Sequence, residues 1–97
     1  MALGRLRFRM RADPPLEWRT WGNESVVFDP ASGDTHLLDA VAREGLACLD
    51  EQPCDAAELA SAMARRLDVP ADAALELYAA RLLARLDDRG VIEAIEA

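Results

Sequence analysis

The sequence has few of the residues that build disulfide frameworks and redox centres. Its two cysteines, Cys48 and Cys54, are too few and too close together to staple a fold, and neither belongs to a CxxC pair. No apolar run approaches the roughly 20 residues that span a bilayer, and no signal-peptide core follows Met1. We therefore predict a cytoplasmic protein with reduced thiols and no redox function.

Residues that could carry catalysis are equally sparse. His36 is the single histidine, and no pair of acidic residues stands near it at ligand spacing, so we interpret it as a strand side chain and not as a metal ligand. The five glycines stand apart, which excludes a glycine-rich phosphate loop, and no serine lies in a G-x-S-x-G elbow. The sequence predicts no enzyme activity, no metal and no other cofactor.

Length, composition and charge indicate one acidic domain. The hydrophobic content of 52% comes mainly from Ala and Leu, with only five aromatic residues among 97, which favours a largely helical core. Residues 1–20 hold five Arg against Asp13 and Glu17, a net +3, so the other 77 residues must carry −10 to give the total of −7. An acidic body argues against nonspecific binding to nucleic-acid phosphates.

The chain begins with a basic arm, residues 1–15. Apolar and arginine side chains alternate strictly over residues 5–11, a period of two that predicts an extra strand. Residues 12–15 break the pattern because their two prolines remove backbone donors. The arm is therefore separate from the single domain of residues 16–97. It can fold over its own sheet, where it could cover a binding edge as a lid, or cross to a second copy and form a homodimer.

Three further segments have the character of strands. Residues 16–21 alternate in polarity, Val26 to Phe28 are β-branched or aromatic, and residues 35–38 resume extended structure after the turn-rich loop 29–34. A tight turn at residues 22–23 joins the first two strands. We predict a three-stranded antiparallel sheet with residues 35–38 at one edge.

Helical signals follow the third strand. Asp39 is placed to cap a helix over residues 40–50, in which Gly45 indicates the close approach of another element. Asp55 and Glu58 form a capping-box pattern that opens a second helix.

The longest helix is predicted over residues 71–89, with Gly90 as its stop and a short extended tail over residues 91–95. This order gives an α+β fold like a winged helix-turn-helix, a three-stranded antiparallel sheet followed by three helices. That fold often binds DNA, but Asp72 and Glu76 in the first turns of the third helix would repel phosphates. A DNA-binding regulator and an accessory subunit for one fixed protein partner are the alternative functions.

Arg81, Arg85 and Arg89 recur at four-residue spacing on the third helix. Such a stripe is either a solvated face paired with nearby acids or a surface that receives an acidic ligand.

Three stretches together resemble the PqqD family: the WRTW run from Trp18 to Trp21, the VVF run from Val26 to Phe28, and the SGDTHLLD run from Ser32 to Asp39. Within that family the chain is most similar to the PqqD-type proteins associated with an HPr-related kinase. The resemblance covers about residues 16–95 and does not include the basic arm.

The resemblance implies a peptide chaperone, a recognition element in the biosynthesis of natural products from ribosomally made peptides. Such proteins bind the leader of a precursor peptide and present it to modifying enzymes. The leader adds as a strand beside the third strand and lies against the third helix. Carried over, this gives the peptide-binding residues Thr35, His36, Leu37 and Leu38 on the strand and Leu75, Tyr78, Arg81, Leu82 and Arg85 on the helix.

Overall fold

The computed structural model describes residues 6–13, 15–22 and 24–95. Parts of the predicted arm, of its break at residues 12–15 and of the turn at residues 22–23 lie outside the described residues. The elements in chain order are β1 (Arg7–Met10), β2 (Glu17–Trp21), β3 (Glu24–Asp29), β4 (Asp34–Leu38), α1 (Ala40–Glu51), α2 (Ala56–Leu67), α3 (Ala73–Asp88) and β5 (Ile92–Ile95). The predicted α+β arrangement, with a three-stranded antiparallel sheet before three helices, is confirmed.

The main sheet has the order β2-β3-β4, and both of its pairings are antiparallel. Val27 stands opposite Trp18 on one side and His36 on the other, and it is completely buried. Along β3 the buried residues Ser25, Val27 and Asp29 alternate with more exposed ones, as expected when one face of a sheet packs on helices. The helices therefore cover one face of the sheet and leave the other accessible.

The loop between β3 and β4 is organised by Asp29. Its carboxylate Oδ1 accepts a hydrogen bond from the Ala31 backbone N–H at 2.9 Å, and its carbonyl accepts one from Gly33 N–H at 2.8 Å. Gly33 has a φ of +78°, a conformation that costs little only for glycine. The loop thus returns the chain antiparallel to β3 and fixes where β4 begins.

The helix ends follow the predicted caps. Asp39 accepts a hydrogen bond from Ala42 N–H at 2.8 Å at the start of α1. Asp55 and Glu58 form the complete capping box of α2, with bonds of 2.8 and 2.9 Å between each side chain and the other residue's backbone N–H. Asp72 caps α3 in the same way through Leu75 N–H. These caps set the points at which the helices begin beneath the sheet.

The end of α3 is a Schellman motif. Gly90 has a φ of +73° and donates to Asp87 O, while Val91 donates to Leu86 O. Gly90 is therefore the stop that the sequence predicted, and the chain turns there into β5.

The core lies between the sheet and the three helices. Leu46, Leu59 and Met63 are completely buried, and Leu82 is 2% exposed. Gly45 of α1 permits this packing, because a Cβ atom at that position would stand 2.6 Å from Leu82 Cδ2. The predicted close approach at Gly45 is confirmed.

The arm folds back on its own chain. β1 pairs antiparallel with β5 in a separate two-stranded sheet, with Phe8 opposite Ala94. On its other side Phe8 exchanges two backbone hydrogen bonds with Cys54, of 2.8 and 3.0 Å. In this structure β1 is joined to β5 and to Cys54, and β4 retains an edge without a strand from the arm.

Candidate functional site

β4 is an edge strand. Within the described residues it pairs with β3 on one side and with no strand on the other. Every second backbone N–H and C=O of an edge strand points away from the sheet and can bond to an added strand. β4 therefore offers a template for an extended peptide.

A groove of about 170 Å³ runs beside this edge and is closed on its far side by the C-terminal half of α3. We call it the β4–α3 groove. Its lining residues are Thr35, His36, Leu37, Leu38, Arg85, Leu86 and Arg89. All four strand residues that the family resemblance implied for peptide binding therefore border one cavity together with Arg85, through backbone or side-chain atoms.

The other helical residues named from the sequence occupy different places on α3. Leu82 is 2% exposed and belongs to the core behind the groove, while Leu75 and Tyr78 are half-buried and pack against that core. Arg81 is exposed. Leu86 and Arg89, which the sequence analysis did not include among the peptide-binding residues, line the groove.

Tyr78 of α3 packs against the core and is influenced by two charged side chains, those of Asp39 and Arg85. Burial raises the pKa of its phenol, the Asp39 carboxylate raises that pKa further, and the Arg85 guanidinium lowers it.

Arginines of the described chain fall into two groups. One group is matched by acids in ion pairs: Arg7 with Glu58, Arg9 with Glu93, Arg11 with Asp29, and Arg43 and Arg66 with Glu44. The other group has no ion pair with any described residue and contains Arg19, Arg65 and the stripe formed by Arg81, Arg85 and Arg89. In a chain of net charge −7, cations left without acids are available to a ligand.

His36 adds a second unsatisfied group to the same groove. Its ring is half-buried, and its Nε2 atom is shielded from solvent without a hydrogen-bond partner among the described residues. A shielded polar atom without a partner costs about 1–3 kcal/mol, so most such atoms in native proteins are bonded. One of the side chains that line the groove therefore contains an unsatisfied polar atom.

The opposite edge of the sheet, at β2, borders a groove of a different kind. Both of its arginines, Arg43 and Arg66, already form ion pairs with Glu44 at 3.5 and 2.8 Å. A ligand there would compete with ion pairs that are already made. The β4 edge is the more receptive of the two.

Both cysteines are buried, at 2% and 1% exposure. Burial raises the pKa of the Cys48 thiol and raises that of Cys54 to about 11, so neither thiol is an activated nucleophile. No group of three or more His, Cys, Asp or Glu side chains among the described residues could hold a metal ion. None of the helices described has the length and apolar character needed to cross a membrane.

A family model described as "Coenzyme PQQ synthesis protein D (PqqD)" matches residues 24–95. The chain belongs to the PqqD family. No curated protein matches the sequence. Among solved structures the chain is similar to "TbiB1 in Complex with the TbiA(beta) Leader Peptide", with a TM-score of 0.72 and 18% sequence identity, over 92% of this chain and 99% of that one. At this identity the likeness shows a shared fold. The PqqD match begins at the first residue of β3, so β1 and β2 lie outside it.

Proposed function

We propose that this PqqD-family protein is a non-catalytic peptide chaperone of the cytoplasm. It binds the leader of a ribosomally synthesised precursor peptide by strand addition to β4, and it presents the precursor to modifying enzymes. The observation that carries the proposal is the unpaired edge of β4 beside a groove with unmatched polar and charged groups. The fold shared with TbiB1, whose structure was solved in complex with a leader peptide, supports leader binding by this chain.

The energetics of strand addition suit a carrier that must release its cargo. Each backbone hydrogen bond contributes about 1 kcal/mol net, and a buried aliphatic anchor from the peptide about 2 kcal/mol. After the cost of ordering a flexible peptide, a free energy near −8 kcal/mol is expected, which corresponds to a Kd of about 1 μM. Such a complex exchanges readily, as presentation to an enzyme requires.

The test is an NMR titration of the ¹⁵N-labelled protein with synthetic peptides that cover the short precursor-like reading frames beside its gene. We expect the largest amide shifts at Thr35 to Leu38 and in the second half of α3. A matched peptide, N-methylated at the alternate amides that bond to β4, should lose binding, whereas methylation in the other register should retain it. Shifts confined to β1 or β2, or no shift with any of these peptides, would contradict the proposal.

Two further partners are predicted from the sequence. The first is an HPr-related kinase as the associated modifying enzyme, which a pull-down with a purified HPr-related kinase from the same organism would test. The second is a homodimer in which the arm is exchanged between copies. The bonds of β1 to β5 and Cys54 would then form between two chains, and light scattering over a range of protein concentrations would reveal the dimer.

On the helix, Arg85 and Tyr78 remain proposed peptide-binding residues, with Leu75, Arg81 and Leu82 as the other members of that wall. Leu82 would act from the core by supporting the helix and not by direct contact. The groove geometry supports Leu86 and Arg89 as additional members.

A further inference from the structure

We propose that the β4–α3 groove selects leaders that carry a carboxylate side chain next to an apolar one. The carboxylate would be held by Arg85 and Arg89 at the groove, and the neighbouring apolar side chain would pack on Leu37 on the other face of the sheet. This inference rests on the proposed strand addition and defines the class of peptide that the site takes.

The first step concerns charge. Arg85 and Arg89 are exposed, lie one helical turn apart and line the groove without an acidic partner among the described residues. Guanidinium groups bind carboxylates through two parallel hydrogen bonds, a geometry that an ammonium group cannot offer. The rest of the domain is acidic, so an acidic peptide is repelled by most of its surface and attracted here.

The second step concerns the polar floor. His36 lines the groove and has a shielded Nε2 atom without a partner among the described residues. Either ring nitrogen of histidine can donate when it carries the proton, and carboxylate oxygens accept several hydrogen bonds each. A bound carboxylate therefore supplies acceptors for the two arginines, beside a histidine whose shielded Nε2 atom has no partner among the described residues.

The third step concerns register. Successive side chains of a strand point to opposite faces, so a residue beside Leu37 faces the opposite way from those beside His36 or Leu38. Leu38 is 3% exposed and lies on the helix-covered face, whereas Leu37 is 70% exposed on the open face. A strand added to β4 that directs an acidic side chain towards the arginines must direct the next residue towards Leu37. Covering that leucine favours an apolar residue there.

The experiment begins with a selection from random peptides of about 12 residues, long enough for one added strand and its flanks. Peptides that bind the full chain are sequenced, and their binding site is mapped by amide shifts. The best peptide and its analogue with Gln in place of the acidic residue are then titrated against wild type, R85Q and R89Q by fluorescence anisotropy. R65Q is the matched control, because Arg65 is exposed on α2 and forms no ion pair with a described residue.

We expect selected peptides to carry Asp or Glu at one fixed position with an aliphatic or aromatic neighbour. The Gln analogue should bind wild type about tenfold more weakly, as for loss of a charge-assisted hydrogen bond pair. R85Q and R89Q should lose this preference, and R65Q should keep it.

Each other result overturns the inference in a distinguishable way. Two results would contradict the carboxylate site but not strand addition. In the first, the selected peptides shift the amides of β4 but have no acidic residue at a fixed position. In the second, R85Q and R89Q keep the same preference for the acidic peptide as wild type. If R65Q lost the acidic preference to the same extent, the preference would come from the overall charge of the protein and not from Arg85 and Arg89. Selected peptides that do not shift Thr35 to Leu38 would overturn strand addition itself and, with it, the carboxylate site.

Discussion

Arg11 and Asp29 form an ion pair that fastens the N-terminal arm to the loop leading into β4. Two hydrogen bonds, of 2.9 and 2.7 Å, join the two ends of the guanidinium to the two carboxylate oxygens. The Asp29 side chain is 2% exposed and that of Arg11 is 16% exposed. Arg11 also donates to Gly90 O, just beyond α3. A residue outside the stretch that matches the PqqD family model therefore joins the end of β3 to the turn that follows α3.

Breaking this pair should destabilise the protein strongly. Asp29→Asn leaves the guanidinium without its anion, and Arg11→Met leaves a carboxylate in a site from which water is excluded. Removing one partner of a buried pair usually costs several times more than losing a surface pair, so we expect either change to lower Tm by about 10 °C or more. Thermal melts followed by circular dichroism would measure it.

Arg9→Met is the matched control for that prediction. Arg9 pairs with Glu93 at 3.0 Å, but both side chains are largely exposed, at 54% and 42%. Its loss should lower Tm by about 5 °C or less. If Arg9→Met and Arg11→Met lowered Tm by the same amount, the buried pair would contribute no more to stability than the exposed one.

Stability should fall in acid through two carboxylates of the arm contacts. The Arg11 guanidinium holds the pKa of Asp29 well below its usual range, and Arg7 with the Asp55 backbone lowers the pKa of Glu58 to about 2. A carboxyl group with a depressed pKa stabilises the fold above its unfolded pKa of about 4, and this contribution disappears as pH falls towards the folded value. We therefore expect the urea midpoint to decline between about pH 4.5 and 2, since both unfolded-state carboxyls titrate near the top of that window.

Two variants separate these contributions. Glu58→Gln should flatten part of the acid decline, and Asp29→Asn, which starts less stable, should flatten another part. Because the Glu58 side chain is 39% exposed, its share should shrink in high salt. An acid decline that neither variant altered would assign the effect to other carboxylates.

The local features of this fold could be predicted because each depends on a few neighbouring residues. Asp39, the Asp55 capping box and Gly90 act within one helical turn, and the structure places all of them as the sequence indicates. The burial of Asp29 could not be predicted, because as a sequence feature it is an ordinary turn former. Its buried carboxylate is stabilised by the guanidinium of Arg11, which directly follows β1 and is distant in sequence.

The candidate site shows the same division. The strand half of the groove follows from the order of the strands, which leaves β4 at an edge. The helical half depends on where along its axis α3 passes that edge, and a periodic pattern specifies only which face of a helix is apolar. The structure accordingly brings Arg85, Leu86 and Arg89 to β4, whereas the family resemblance implied a wall of Leu75, Tyr78, Arg81, Leu82 and Arg85, of which only Arg85 lines this groove.

Gly45→Ala should destabilise the packing of α1 on the other helices. The new Cβ atom would lie 2.6 Å from Leu82 Cδ2 and 3.3 Å from Met63 Sδ. Overpacking of a core costs about 1–3 kcal/mol, and better helix propensity returns about 1 kcal/mol, so we expect a net loss of up to about 2 kcal/mol in the free energy of unfolding. Urea denaturation would measure it.

A double-mutant cycle with Leu82→Ala tests the cause. If the clash with Leu82 is responsible, Gly45→Ala should cost less in the Leu82→Ala background than in wild type. Ala47→Gly on the same helix gives the propensity term alone, at about 1 kcal/mol. Equal costs of Gly45→Ala in both backgrounds would show that α1 does not approach α3 at this point.

The two thiols should be protected in the native protein, and protection of Cys54 should depend on β1. Cys54 is 1% exposed and Cys48 is 2% exposed, and desolvation is the main reason that both thiol pKa values are raised. Modification by iodoacetamide near neutral pH therefore requires local opening of the structure.

Phe8→Pro removes the N–H that bonds to Cys54 O at 2.8 Å and should open this region. Measured in Cys48→Ala and Cys54→Ala backgrounds, the Phe8→Pro change should accelerate modification of Cys54 at least about tenfold and leave that of Cys48 nearly unchanged. Equal acceleration at both thiols would mean that they open only when the whole domain unfolds, and rapid reaction of Cys54 with Phe8 intact would show that β1 does not shield it.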